Sequence, residues 1–344
     1  MNGRERIDAA MRGDRPDRVP VMLHNFMPAA REAGFTMAEY RWDARKMAEA
    51  HLRALETYGH DGILLDVDTV TLAEACGVPV SFPEHQAACP TGQCRLHLLE
   101  DLPSLPAPDL NNHPRVQTWL EAASLLVERV GGDVYVRGNC DQAPFGLASM
   151  IRTPEKWMID LLTEGAEPLC EDLLQYCTHV TCRFVRLMAA TGVPMVSNGD
   201  SPAGPSVISP DMYRRWALPY EKRVVAAAHE RGCQYVLHIC GDTSAILRDM
   251  VTTGADGLEL DYLTDARLAR DALAGRAAFL GNLDPSGVLA RGTPALVAER
   301  TRELLETFAD TPGFILNTGC ALPANTPPEN IHAMVRTARE FHRD

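Results

Sequence analysis

Eight short apolar runs, each closing on polar residues, constrain this chain more than any other feature. They are VPVMLH (19–24), DGILLDVD (61–68), DVYVRGNC (133–140), VPMVSNGD (193–200), QYVLHIC (234–240), GLELD (257–261), AAFLGNLD (277–284) and FILNTGC (314–320). Amphipathic helical segments follow most of them. Apolar runs alternating with helices indicate βα units around a buried parallel sheet. Eight such units predict a closed (β/α)8 TIM barrel that takes residues 1–344 as a single domain. At 344 residues the chain could hold two average domains, but no linker divides it.

The helical segments carry their own punctuation. SPDMYRRWALPYEKRVVAAAHERG has Ser209 as an N-cap, Pro210 in the first turn and Gly232 as the stop, so one helix is expected. TPALVAERTRELLETFAD opens the same way on Thr293 and Pro294. The longest interval lies between the second and third strands. It contains EHQAACPTGQC and the proline-rich LPSLPAPDLNNHP, and reads as an elaborated loop over one end of the barrel before a helix near 115–130.

A barrel places its chemistry at the C-terminal ends of its strands. The residues there include His24, Asp66, Asp68, Asn139, Cys140, Asp200, His238, Cys240, Glu259, Asn282, Asp284 and Cys320. His238 and Cys240 stand two apart on one strand, so their side chains leave the same face. Cys320 closes the last strand, across the barrel opening from the fifth. Imidazole with two thiolates suits zinc, and three protein ligands leave a fourth position for water or substrate. The alternative is packing, because a lone H-x-C pair at a strand end is commonly core. Glu259 is either a reserve ligand or an ordinary pocket carboxylate. A rival metal loop would use His85, Cys89, Cys94 and His97, although that spacing fits no common ligand pattern. Cys140 reads as a small buried hydrophobe, and the cysteines of LCEDLLQYCTHVTC read as packing on a helix. Gly241 and the helix start after it offer either an anion-binding turn or a simple tight turn.

Composition narrows the partners. A net charge of −13 argues against nucleic acid or an anionic membrane surface. The charged opening MNGRERIDAAMRGDRPDRVP does not read as a secretory signal, and no apolar run approaches a membrane span. With ten cysteines, this predicts a reducing, cytoplasmic setting where thiols pack, react or bind metal. The chain has no G-x-S-x-G elbow, no phosphate-binding G-x-x-x-x-G-K-[ST] and no G-x-G-x-x-G.

Several longer segments resemble the uroporphyrinogen decarboxylase superfamily, in family order across nearly the whole chain. They are ERIDAAMRGDRPDRVPVM, DGILLDVDTVTLAEACG, APFGLASMI, ISPDMYRRWALPY, VLHICGDT, FLGNLDPSGVL and TGCALPANTPPENIHAMV. The resemblance implies the same barrel, with its pocket at the strand C-termini. Decarboxylases of this superfamily grip a polyanionic tetrapyrrole with arginines from an R-Q-A-G-R motif. Here HNFMPAAREAG keeps only Arg31, displaced. Their pocket tyrosine corresponds to Met150 and their last-strand histidine to Cys320. Their central aspartate corresponds to Asp66 or to Asp68.

The zinc-dependent branch, the methylcobamide:coenzyme M methyltransferases, is the better match. The resemblance implies zinc on His238, Cys240 and Cys320, and a thiol activated in the open position. Asp66, Asp200 and Glu259 are then expected to orient substrate or shift a proton, with Asn282, Asp284 and Met150 around the cofactor. The GNLDP signature, which contains Asn282 and Asp284, has turn shaping as its simplest role. No D-x-H-x-x-G corrinoid signature occurs, so a methylcobamide is expected on a separate corrinoid protein or free. The resemblance implies a small-molecule acceptor, a thiol such as coenzyme M or a folate, and suggests a homodimer. The alternatives are a cofactor-free decarboxylase of a uroporphyrinogen-like tetrapyrrole and a non-catalytic barrel that binds corrinoid or metal.

Overall fold

All eight apolar runs form strands of one parallel sheet in the computed structural model, which describes residues 1–341. The strands are β1 (Met22–Leu23), β2 (Gly62–Leu65), β5 (Tyr135–Gln142), β6 (Met195–Gly199), β7 (Gln234–Ile239), β8 (Gly257–Leu260), β9 (Ala278–Leu283) and β10 (Phe314–Thr318). A short antiparallel hairpin, β3 (Val80–Ser81) and β4 (Cys89–Pro90), lies outside the sheet. Sheet order is β1-β2-β5-β6-β7-β8-β9-β10. A parallel bridge from Val21 to Leu316 brings the last strand back to the first, with Leu316 N–H donating to the Pro20 carbonyl at 2.9 Å. This is the (β/α)8 barrel expected from the sequence.

Strand alternation divides the barrel interior into two zones. Met22, Leu64, Tyr135, Met195, Val236, Leu280 and Ile315 make an apolar plug at the N-terminal end, closed below by Ile7, Ala10 and Met11 of the helix Gly3–Met11. Two residues further along, the inward positions turn polar: His24, Asp66, Arg137, Ser197, His238, Glu259 and Asn317. All but His238 are buried. An apolar plug with a polar layer above it puts whatever the barrel binds at the strand C-termini. Among the described residues no helix is long and apolar enough to cross a membrane.

The connections hold one correction. Ser209 caps its helix through the Met212 N–H, and Thr293 caps Pro294–Thr307 through the Leu296 N–H. The first of these is not one helix, however. It breaks at Ala217 into Pro210–Trp216 and Leu218–His229, because Pro219 cannot supply the N–H that a continuous helix needs there. The long interval after β2 folds as the hairpin, a 3-10 turn at Leu99–Ser104 and the helix Pro114–Val130. It is tied to segments that follow β1 and β5, since Ala38 N–H donates to Glu84 and Arg95 N–H to Ile151. It therefore lies at the mouth end.

Two buried histidines on the β1–β2 side predict acid sensitivity. His60 is 3% exposed with neither ring nitrogen partnered among the described residues, and burial lowers its pKa to about 3. Burial likewise lowers His51 to about 4. Both folded values lie below the unfolded one, so this stability is present above about pH 6.5. The folding equilibrium constant falls about tenfold per pH unit for each histidine as the pH drops towards the folded values. His60→Leu is expected to flatten the fall of the urea midpoint between pH 6.5 and 4.5. An identical slope in wild type and variant would refute this.

Candidate metal centre at the barrel mouth

β7 sits between β6 and β8, with His238 opposite Gly199 on one side and Glu259 on the other. Its alternation sends Val236 into the apolar plug and His238 into the polar zone, and Cys240 follows just past the strand end. Cys320 comes two residues after β10, its carbonyl held by the Thr318 hydroxyl at 2.6 Å. Gly319 is needed beside it, because a Cβ there would lie 2.5 Å from the Tyr262 backbone nitrogen. The donor atoms of His238, Cys240 and Cys320 all lie within 4.8 Å of one another. This is the convergence that the strand positions predicted.

The distances suit a tetrahedral ion. Two thiolates at about 2.3 Å from zinc stand about 3.8 Å apart, and the Cys240 and Cys320 sulfurs are separated by 3.8 Å. His238 Nδ1 donates to the Glu259 carbonyl at 2.9 Å, which fixes the ring and turns Nε2 towards the sulfurs, 3.0 Å from Cys240 Sγ. An imidazole steered by a carbonyl on its far nitrogen is the usual support for a metal-ligating histidine. The cluster also favours thiolate. A hydrogen bond from Cys320, against the opposing effect of burial and together with His238, draws the Cys240 thiol down to about 3. The same hydrogen bond pushes Cys320 up. His238 rises to about 10, as the Cys240 thiolate and Glu259 outweigh burial. The donor types, the sulfur–sulfur separation and the ring orientation therefore fit zinc.

The Glu259 carboxylate is committed elsewhere. Oε2 accepts from Arg137 Nη2, and Oε1 accepts from Asn317 Nδ2 at 2.8 Å. Burial pushes this carboxyl up, but Arg137, His238 and His24 hold it at about 2. It supports the centre and is not grouped with the three ligands. Asp66 shares the inward face, pairing with His24 Nε2 at 2.7 Å and Asn139 Nδ2 at 2.8 Å. Asp68 turns to Arg115 on the helix Pro114–Val130, which leaves Asp66 as the aspartate of the barrel interior.

Several expected residues are placed differently. Asp200 is fully buried against the helices, accepting the Gly146 N–H at 2.6 Å. Burial pushes its carboxyl up to about 7 against the hydrogen bonds from Gly146 and Glu221, and the Gly146 bond makes it a cap at the start of a helix instead of a residue facing the centre. Asn282 Nδ2 donates to the carbonyls of Asp261 and Thr264, and Asp284 accepts the N–H groups of Ser286 and Gly287. Both shape turns, in keeping with their simplest role, through these bonds. Met150 is half buried on the helix Pro144–Arg152 and packs against the core. The rival metal loop does not assemble: Cys94 donates to backbone carbonyls, while His85, Cys89 and His97 are exposed. Gly241 N–H is taken by Asp261 at 3.0 Å, so the turn is structural. Cys140 is buried, as expected. Arg137 was not anticipated, yet a lone arginine inside the apolar run DVYVRGNC, on the inward register of Tyr135, signals a paired buried charge.

The family profile described as Uroporphyrinogen decarboxylase (URO-D) matches residues 2–341. The chain belongs to the uroporphyrinogen decarboxylase family. Within that family it is 29% identical to the methylcobamide:CoM methyltransferase MtbA of Methanosarcina acetivorans, over 98% of both chains. It is 30% identical to a uroporphyrinogen decarboxylase of a Synechococcus species, over 98% of this chain and 97% of that one. A solved methyltransferase from Methanosarcina mazei superposes with a TM-score of 0.90 at 25% identity, covering 99% of both chains. Identity alone is thus level between two activities of the family, and the site has to discriminate.

Proposed function

We propose that this family member is a methyltransferase that moves a methyl group from a methylcobamide to a small thiol, with zinc as its resident metal. The observation that carries the reading is the cluster of His238, Cys240 and Cys320, whose spacing and orientation match a three-ligand zinc site. The similarity to methylcobamide:CoM methyltransferases supports it. A tetrapyrrole decarboxylase needs cations for its substrate's carboxylates. Here Arg31 is spent on the Ala324 and Thr326 carbonyls, and Arg137 on Glu259 and Ser197.

Zinc bound there would raise the thiolate fraction of an acceptor thiol near neutral pH, while two cysteinate ligands keep that sulfur electron-rich. In the transfer the sulfur forms a bond to the methyl carbon and the cobalt–carbon bond breaks. Both electrons of that bond stay on cobalt, which passes from cobalt(III) to cobalt(I), and the thiol gives up its proton. The chain's part is to hold His238 through Glu259, to fix both cysteines, and to present a rigid polar floor beneath the acceptor. The methylcobamide arrives on a separate corrinoid protein or free.

Zinc-loaded protein with methylcobalamin and small thiols is expected to bleach the methylcobalamin spectrum and yield the methyl thioether by mass spectrometry. Carbon dioxide release from uroporphyrinogen without any methyl transfer would give the decarboxylase reading in its place.

A further inference from the structure

The proposed transfer releases one proton per turnover, and the metal ligands cannot take it, because they bind as cysteinates. Glu259 is saturated by Arg137 and Asn317. We propose that His24 is the base that receives the acceptor thiol's proton, held for that task by Asp66 and Asn139. The inference rests on the thiol-methyltransferase reading above and adds a catalytic residue to it.

His24 follows β1 directly and is 8% exposed. Its Nε2 lies 2.7 Å from Asp66 Oδ2. Asp66 is itself fixed, with Oδ1 accepting from Asn139 Nδ2 and from the Val67 N–H, both at 2.8 Å. A carboxylate on one ring nitrogen keeps the proton there, so Nε2 carries the hydrogen and Nδ1 the lone pair. Nδ1 is buried and has no hydrogen-bond partner among the described residues. This is the arrangement of a general base: one nitrogen anchored by an oriented carboxylate, the other free to accept.

The placement suits the acceptor. The His24 carbonyl accepts the Leu322 N–H at 2.8 Å, so His24 stands beside the segment that carries Cys320. Its Nδ1 is 3.7 Å from Glu259 Oε1, and the backbone carbonyl of Glu259 holds His238. The charged groups around the ring are Asp66 and Glu259, then Arg137 beyond Glu259, with His51 behind Tyr40. Two carboxylates against one guanidinium leave this floor one positive charge short of balance. A proton on Nδ1 supplies it and gains Glu259 as an ionic partner. The thiol S–H bond breaks, its electron pair stays on sulfur to attack the methyl carbon, and the proton moves to Nδ1 and later to solvent.

The test uses zinc-loaded wild type, His24→Gln and Asp66→Asn, with methylcobalamin as donor and 2-mercaptoethanol or thiophenols of graded acidity as acceptors. His24→Gln is expected to keep its zinc and fold, and to slow single-turnover transfer to 2-mercaptoethanol at pH 7 by roughly 10²–10⁴-fold. That loss should shrink below about tenfold with a nitrothiophenol, which is already ionised, and as the pH approaches that of the aliphatic thiol's own ionisation. Calorimetry of thiol binding without donor, in buffers of different ionisation enthalpy, gives a second readout. Wild type should release almost no proton and His24→Gln about one per thiol bound. If His24→Gln loses zinc or fold, Asp66→Asn carries the same predictions, because it removes the anchor and leaves the ring. An equal loss with every thiol, no loss at all, or unchanged proton release would overturn the role of His24. Wild type that methylates none of the thiols would overturn the proposed function and this inference together. Transfer by wild type that His24→Gln matches overturns this inference alone.

Discussion

Cys320→Ser is expected to lose zinc while staying folded. Wild type purified without chelator should carry about one zinc per chain, and the variant should bind it at least about a hundredfold more weakly. Even supporting groups around a metal cost 10–100-fold when removed, and Cys320 supplies a ligand itself. The sulfur lies 3.8 Å from Cys240 Sγ, so a serine oxygen would keep the site's shape and lose its soft, charged donor. Cys89→Ser is the control, since Cys89 is exposed on β4 and outside the cluster, and its zinc content should not change. Mass spectrometry of metal content and competition with a chromophoric chelator read both variants. Well-folded wild type that takes up no zinc on add-back would reduce His238, Cys240 and Cys320 to packing residues.

Much of this centre could be read before folding, for a physical reason. Buried parallel strands are near-continuous apolar runs, so a polar residue at their ends stands out, and the barrel fixes which end matters. His238, Cys240 and Cys320 were legible on those grounds, and so were Asp66 and Glu259 as residues of the polar zone. What the sequence hid was direction beyond the strand ends. Asp200 and Asp284 also terminate apolar runs, but one caps the helix at Gly146 and the other the turn at Ser286. A terminal residue can face the pocket or the next helix, and alternation stops deciding once the strand ends. Asp66 and Asp68 share a parity, and only Arg115 on a distant helix separates them. The Pro219 break shows the converse: the local rule is present in the sequence, and in the fold it overrides the single helix that Ser209, Pro210 and Gly232 suggest.

Arg137→Met is expected to lower the free energy of unfolding by about 3–5 kcal/mol, the usual cost of leaving one member of a buried ion pair alone. Arg137 and Glu259 are each 1–2% exposed, and among the described residues the guanidinium is the permanent cation hydrogen-bonded to that carboxylate. Asn317 then remains, and one neutral donor does not offset an uncompensated buried charge. Adding Glu259→Gln should restore most of the loss, because the amide keeps an acceptor for Asn317 and carries no charge. Urea denaturation of wild type, both single variants and the double variant gives the coupling energy directly. The pH dependence supplies a second check. In wild type Glu259 is held at about 2, below its unfolded value, so its stabilisation is present above about pH 4.5 and lost only in stronger acid. Without Arg137, burial dominates and the carboxyl rises, so the Arg137→Met penalty should shrink as the pH falls from 7 towards 5. A constant penalty over that range, or a double variant no more stable than Arg137→Met, would show that Arg137 acts through packing and not through charge. Because Glu259 also carries the carbonyl that steers His238, a floor loosened by Arg137→Met should weaken zinc binding too. The pair would then link the stability of the barrel interior to the geometry of its metal centre.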